Sequence, residues 1–236
     1  MNLRDLRGLR TADGRIVRRG ALYRSEVPRS APAAGTAVAV WPPAVVIDLR
    51  APVERRGRHA LDAPGTLVHS VPMGTDLAPV STAVRTPHDA AGGDLTPAYR
   101  HLAQDAAARI ARIAVLVAEA PGPVLVHCTA GKDRTGIVVA VLLRAVGVRR
   151  AEVMADYLRT ERNLPRLWAA LHAAGIPSPR DRALRTVQAS ALDAVLDELD
   201  DAAGGATGWL AAHGVDEATL ARLATRLLSA GYPAAA

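Results

Sequence analysis

Val124-Leu-Val-His127-Cys128-Thr129-Ala130-Gly131-Lys132-Asp133-Arg134-Thr135-Gly136 contains the only cysteine among 236 residues, with an arginine six positions later. The apolar, β-branched run before Cys128 reads as a buried strand, and Ile137 to Val146 reads as an apolar helix. A strand, a tight glycine-containing loop and a helix start gather backbone N–H groups and the positive end of a helix dipole around one point. That point suits a dianion such as phosphate, with Cys128 at its base. Helix N–H groups and cationic side chains favour the thiolate, the nucleophilic form of cysteine. Arg134 can offer a planar, two-pronged fork to two phosphate oxygens. Together these residues describe the chemistry of a cysteine-dependent phosphatase.

Two plainer readings compete. A lone cysteine is usually a small buried hydrophobe, but that does not explain a histidine, a lysine, an aspartate and an arginine crowded into the same turn. Such crowding is costly unless a ligand uses it. A nucleotide-binding loop fails on spacing, because its lysine is followed directly by serine or threonine and here Asp133 follows Lys132.

Cys-x5-Arg with a preceding histidine and a following threonine resembles the signature of the protein tyrosine phosphatase superfamily. The fuller His127-Cys128-Thr-Ala-Gly131-Lys132-Asp133-Arg134 is similar to its atypical bacterial branch. Asn2-Leu-Arg-Asp-Leu-Arg-Gly-Leu-Arg-Thr-Ala-Asp-Gly with Gly20-Ala-Leu-Tyr-Arg-Ser resembles that branch's opening hairpin. Val45-Val-Ile-Asp48-Leu-Arg50 resembles its strand-ending Asp-Leu-Arg, and the helix around Tyr157 and the Gly214-Val-Asp-Glu stretch also fit. One departure is clear. The family carries a helix between hairpin and Asp-Leu-Arg, whereas Ser30 to Pro43 is rich in alanine, proline and glycine.

The resemblance implies roles. Cys128 attacks phosphorus to give a thiophosphoryl enzyme, which divides one hard displacement into two easier ones. The amides of Thr129, Ala130, Gly131, Lys132, Asp133 and Arg134, with the Arg134 fork, hold the equatorial oxygens. Thr135 is placed to hydrogen-bond the thiolate, or is a plain helix-start hydroxyl. His127 orders the loop through hydrogen bonds. Three aspartates compete as the acid that protonates the leaving group. Asp133 ranks first, within the loop; Asp76 second, on the Gly74–Asp94 segment; Asp48 third, its plainer role being a salt bridge with Arg50 or Arg134.

Lys132 gives the loop a likeness to lipid phosphatases acting on inositol rings, or simply points to solvent. The implied substrates are phosphotyrosine, phosphoserine/threonine and phosphoinositides. A catalytically silent phosphate-binding module is the alternative, although it would tolerate loss of Cys128, Asp133 and Arg134. Arsenate reduction usually needs further cysteines, and the chain has none.

Composition fits one α/β domain over residues 1–236. Half the residues are apolar, yet phenylalanine is absent, so the core is built from alanine, valine and leucine. No apolar run reaches the roughly 20 residues of a membrane span, and the arginine-rich start lacks a signal-peptide core. Cytoplasmic residence is expected, with non-classical secretion as the family alternative. A single cysteine permits no internal disulfide. The net charge of +6 comes with three tryptophans and four tyrosines, too little stacking surface to favour nucleic-acid binding. The basic surface suits anionic substrates. No metal-ligand set or cofactor motif is visible, and nothing bears on oligomeric state.

The pattern predicts a hairpin of Leu3–Leu9 and Ile16–Tyr23 around Asp13-Gly14, strands at Val45–Leu49, Leu67–Val71 and Val124–His127, and a loop over Gly74–Asp94. Helices follow at Thr96–Ala120, with Thr96 as cap, then Arg134–Val146, Ala151–Glu161, Leu164–Ala174, Arg182–Asp201 and Asp216–Ser229. No internal repeat stands out. The expected fold is a tyrosine-phosphatase-like α/β core over 1–150, a central sheet flanked by helices, and a mostly helical half over 151–236. Pro177-Ser-Pro179 is the hinge candidate of that half, and the family implies a lid within it over about 164–201.

Overall fold

The computed structural model describes residues 2–28, 38–74, 77, 93–176 and 182–229. Val124, Leu125 and Val126 have no exposed surface, because their strand lies in the middle of a sheet covered on both faces. Such strands read as continuous apolar runs rather than alternating ones. The strands are β1 (Arg4–Asp5), β2 (Leu22–Ser25), β3 (Val45–Asp48), β4 (Leu67–Ser70) and β5 (Val124–His127), in the order β1-β2-β5-β3-β4. Only β1 runs antiparallel to its neighbour. His127 pairs in register with Ser25 on one side and Asp48 on the other. The segments leaving all three central strands therefore emerge together at the carboxyl edge of the sheet, where α/β folds place ligands.

The helices are α1 (Thr96–Asp105), α2 (Ala107–Glu119), α3 (Asp133–Ala145), α4 (Arg150–Leu158), α5 (Leu164–Ala173), α6 (Arg182–Arg185), α7 (Ala189–Asp201), α8 (Gly205–Ala212) and α9 (Glu217–Leu227). Past its polar first turn α3 is apolar all round, because Ile137 to Leu143 are all buried. Gly147, at φ +84°, ends it in the left-handed conformation that favours glycine. Around it, α7 packs on α1 and α9 on α2. No helix among the described residues is long and apolar enough to cross a membrane.

Several expectations change. The opening hairpin is only partly laddered, with the short β1 and an isolated bridge between Arg10 and Ile16. The Thr96–Ala120 helix divides at Ala106, whose φ/ψ of −92°/6° leaves the helical region. Thr96 is not a cap; its N–H instead donates to Asp94 Oδ1 at 2.9 Å. The Arg182–Asp201 helix divides as well, because Gln188 is extended (φ −113°, ψ 104°). Gln188 there accepts from Leu95 N–H and donates to Gly93 O, tying the break to the start of α1. α8, which the pattern did not predict, begins at Gly205 behind Gly204 at φ +79°. Pro177-Ser-Pro179 lies outside the described residues.

Candidate active site

Gly131 fixes the shape of the loop between β5 and α3. It sits at φ +66°, and a Cβ there would lie 2.2 Å from the Ser25 carbonyl oxygen. Only glycine meets both conditions. Its carbonyl accepts from Asn2 Nδ2 at 2.9 Å and from Arg24 at 3.0 Å. Arg24 is in turn paired with Asp156 at 2.8 Å, and Asp156 also receives Arg4 at 2.7 Å. Burial pushes the Asp156 carboxyl up, but the Arg24 and Arg4 charges hold it below the usual aspartate range. Burial and the neighbouring Arg24 lower Arg4 to about 10.

On the other flank lies Cys128, buried, whose Sγ accepts the Gly131 N–H at 3.2 Å. Arg134, one residue into α3, is gripped by Glu54: Nη1 to Oε2 is 2.5 Å and Nη2 to Oε1 is 2.7 Å. Arg134 also donates to Gly74 O, bringing in the segment after β4. Burial alone would lower the Arg134 pKa; the Glu54 hydrogen bonds and the Cys128 charge raise it instead. Glu54 further accepts from Thr129 Oγ1 at 2.6 Å and from the Ala51 N–H at 2.9 Å. One carboxylate thus ties the loop's threonine and its arginine to the 3-10 turn Pro52–Glu54 that follows β3. Burial pushes Glu54 up, and the Arg134 interactions hold it below the usual glutamate range.

Both ring nitrogens of His127 are engaged. Its Nδ1 lies 3.1 Å from the Cys128 carbonyl and its Nε2 lies 2.9 Å from His59 Nε2. Burial lowers its pKa to about 4 despite the nearby Asp48. Asp48 pairs with Arg50, not with Arg134: Nη2 to Oδ2 is 2.7 Å. Asp48, His59 and His127 come within 4.8 Å of one another, a set with metal-ligand composition that the linear sequence did not reveal.

Lys132 does not reach solvent. It is fully buried and donates to Asp133 Oδ1 at 2.6 Å and to Thr186 O at 2.8 Å. Asp133 Oδ1 also accepts from Tyr99 at 2.5 Å, and Tyr99 shares a 2.7 Å hydroxyl contact with Tyr157. The expected hydrogen bond from Thr135 to the cysteine sulfur is not made; Thr135 Oγ1 is buried and has no hydrogen-bond partner among the described residues. Ala130 packs in an apolar cluster with Val27 and with Leu164, Leu167 and Leu171 of α5. Asp76 lies outside the described residues.

Cys128, Arg134, Asp133, Lys132, Thr129, His127 and Asp48 are therefore brought to one edge of the sheet. Glu54, Tyr99 and His59 join them although sequence reading passed over all three. Glu54 carried one weak signal, an acid just after a proline behind the Asp-Leu-Arg strand end. Tyr99 carried another, as a rare aromatic in a chain without phenylalanine.

A mostly parallel sheet that delivers a cysteine and an arginine through one tight loop to the N-terminus of a buried helix defines an α/β class of protein. The chain belongs to the tyrosine phosphatase family, whose model matches residues 1–229. It is 35% identical over 158 residues to the triple specificity protein phosphatase PtpB of Mycobacterium tuberculosis, covering 60% of this chain and 57% of that one. A Cupriavidus necator protein whose name places it among the tyrosine-protein phosphatases is 33% identical over 227 residues, covering 89% of this chain and 80% of its own. A tyrosine-protein phosphatase of Nostoc commune is 38% identical over 125 residues, covering 49% of this chain and 42% of that one.

Proposed function

We propose that the chain is a cysteine-dependent phosphatase of phosphotyrosine that also accepts phosphoserine/threonine and phosphoinositides. The observation that carries this reading is Cys128 Sγ receiving the Gly131 N–H at the start of α3, with Arg134 immediately inside the helix. Amide donors and an arginine beside a cysteine favour the thiolate. In this reading the sulfur attacks phosphorus and the P–O bond to the leaving group breaks. Water then displaces phosphate from sulfur, regenerating Cys128. Arg134 and the loop amides hold the equatorial oxygens as charge gathers on them. Asp133 donates the leaving-group proton and later accepts one from water.

The breadth of substrate is supported by the triple-specificity name of the mycobacterial relative and by the loop's likeness to lipid phosphatases. A free Lys132 does not support it, because that ammonium is held between Asp133 and Thr186. The packing of Leu164, Leu167 and Leu171 of α5 against Ala130 supports the lid that the family implies over about 164–201. Deleting residues 164–180 from a variant that still folds should speed peroxide inactivation of Cys128; an unchanged rate would rule the lid out.

Turnover of p-nitrophenyl phosphate by the wild type, Cys128→Ser and Asp133→Asn, repeated with phosphoinositides, tests the whole reading. Cys128→Ser should be inactive and should keep phosphate-ester binding. A wild type that binds phosphate esters without hydrolysing them would instead be a binding module.

A further inference from the structure

Behind Cys128, the grouping of Asp48, His59 and His127 has the composition of a metal site. Its hydrogen bonds have a different logic. The Leu61 N–H donates to His59 Nδ1 at 3.1 Å, so neutral His59 carries its proton on Nε2. The Cys128 carbonyl can only accept, so His127 Nδ1, 3.1 Å away, carries the His127 proton. The two Nε2 atoms, 2.9 Å apart, then form one proper bond, with His59 donating and His127 accepting. Donor and acceptor directions agree along the whole chain, from the Leu61 N–H through both rings to the Cys128 carbonyl. Both imidazoles are held neutral, chiefly by burial, His127 down to about 4 and His59 below its ordinary 6.5.

A cation would need the Nε2 lone pairs of both rings, and the Leu61 bond keeps the lone pair of His59 on Nδ1. It would also need Asp48, whose carboxylate is already bridged by Arg50 at 2.9 and 2.7 Å. The side-chain set is therefore a proton-ordered support and not a ligand set.

We propose that His59 is a positioning residue for the nucleophile: it fixes His127 as the Nδ1–H tautomer, which clamps the Cys128 carbonyl and sets the exit of β5 into the loop. This rests on the reading of Cys128 as the nucleophile. The physical reason lies in the alternative partner of His127. Asp48 Oδ1 is 3.8 Å from His127 Nε2 and can only accept. Without His59, the nearest partner of that nitrogen demands an N–H. His127 must then turn its Nδ1 lone pair against the Cys128 carbonyl or take up a second proton. Either change alters the field at the sulfur.

Long-range nitrogen–proton NMR reads the tautomer directly. The wild type should show neutral His127 protonated on Nδ1 and neutral His59 protonated on Nε2. His59→Ala should lose the neutral Nδ1–H form of His127. His59→Gln, whose amide can donate to the same nitrogen, should retain it. The pH profile of Cys128 alkylation by iodoacetamide should shift in His59→Ala and return in His59→Gln. The kcat for p-nitrophenyl phosphate should fall by about tenfold in the alanine variant, with KM little changed.

An Nε2–H tautomer of His127 in the wild type would overturn the proposal without any variant being made. So would an unmoved His127 signal or alkylation profile in His59→Ala, or a His59 resonance displaced by Zn²⁺ at stoichiometric addition. The NMR and alkylation readouts need no turnover, so their failure is distinct from failure of the phosphatase reading.

Discussion

Two arginines flank the loop, both almost wholly buried, and they are balanced differently. Arg24 shares Asp156 with Arg4, so two cations rest on one carboxylate, and Arg24 also donates to the Gly131 carbonyl. Arg134 has Glu54 largely to itself and stands on the cysteine side. The Arg24 side is closed scaffolding whose partners are all protein groups. On the proposed function, the Arg134 side shares its cation with an incoming anion. Burying charge is costly unless it is paired, and removing one partner of a buried pair is costlier than exchanging both for apolar groups. The two sides should therefore respond differently to the same kind of mutation.

Asp156→Asn should have the largest effect on stability. It leaves two guanidiniums facing each other without a carboxylate between them, a loss of about 3–5 kcal/mol. Added phosphate should recover little of it, because the lost charge lies on the scaffold side. Urea denaturation with and without phosphate measures both. Recovery equal to that of a Glu54 variant would erase the distinction between the two sides.

Gly131→Ala strikes where the sides meet. The left-handed φ costs about 1–2 kcal/mol for a non-glycine residue, and the Cβ would overlap the Ser25 carbonyl, which belongs to a central strand and has no room to retreat. A loss of about 2–4 kcal/mol is expected, with at least a hundredfold fall in kcat/KM, since displacement of the loop by about 1 Å suffices for that. Full activity in a folded Gly131→Ala protein would show that the loop is not held by this contact.

Glu54→Gln should cost about 2 kcal/mol, because Arg134 keeps only neutral acceptors. Here phosphate should restore more stability than it adds to the wild type, since it replaces the missing anion. The same carboxylate gives an acid limb. The Glu54 pKa is held below its unfolded value of 4.5, so its contribution is full above that pH and fades as pH falls through the lower folded value. Asp156, held below 3.8, behaves alike at slightly lower pH. Glu54→Gln should flatten the wild-type fall in stability below about pH 4.5. An acid limb unchanged by the substitution would show that other carboxylates set it.

How much of this was legible in the sequence follows the same division. The Cys128 loop was legible because strand, glycine turn and helix are contiguous, so local spacing carries the geometry. β3 and β5 were legible because strands buried on both faces are apolar throughout. Glu54, Tyr99 and His59 were not, because each reaches the loop only through folding: Glu54 is 80 residues from Arg134 and Tyr99 is 34 from Asp133. No periodicity encodes such pairings. The division of Arg182–Asp201 was hidden for the same reason, since Gln188 leaves the helix to bond with residues more than 90 positions away. Lys132 and Thr135 misled in the opposite way. Their place in the motif is local, but their partners are set by elements the motif does not contain.

The smallest effect belongs to a third arginine, which shows that burial, rather than the number of ion pairs, makes the difference. Arg150 on α4 meets Asp193, Asp197 and Asp200 of α7 at 2.6, 2.7 and 3.0 Å, more carboxylates than Arg24 or Arg134 has. Its side chain is 31% exposed and the aspartates 32–54%. Water already solvates these charges, so pairing them gains little, and salt screens what remains. Arg150→Ala should therefore lower stability by no more than about 1 kcal/mol, less at high ionic strength, and leave p-nitrophenyl phosphate turnover unchanged. A loss approaching that of Asp156→Asn would mean that the α4–α7 contact, through Asp156 and Tyr157 further along α4, supports the loop as strongly as the buried network does.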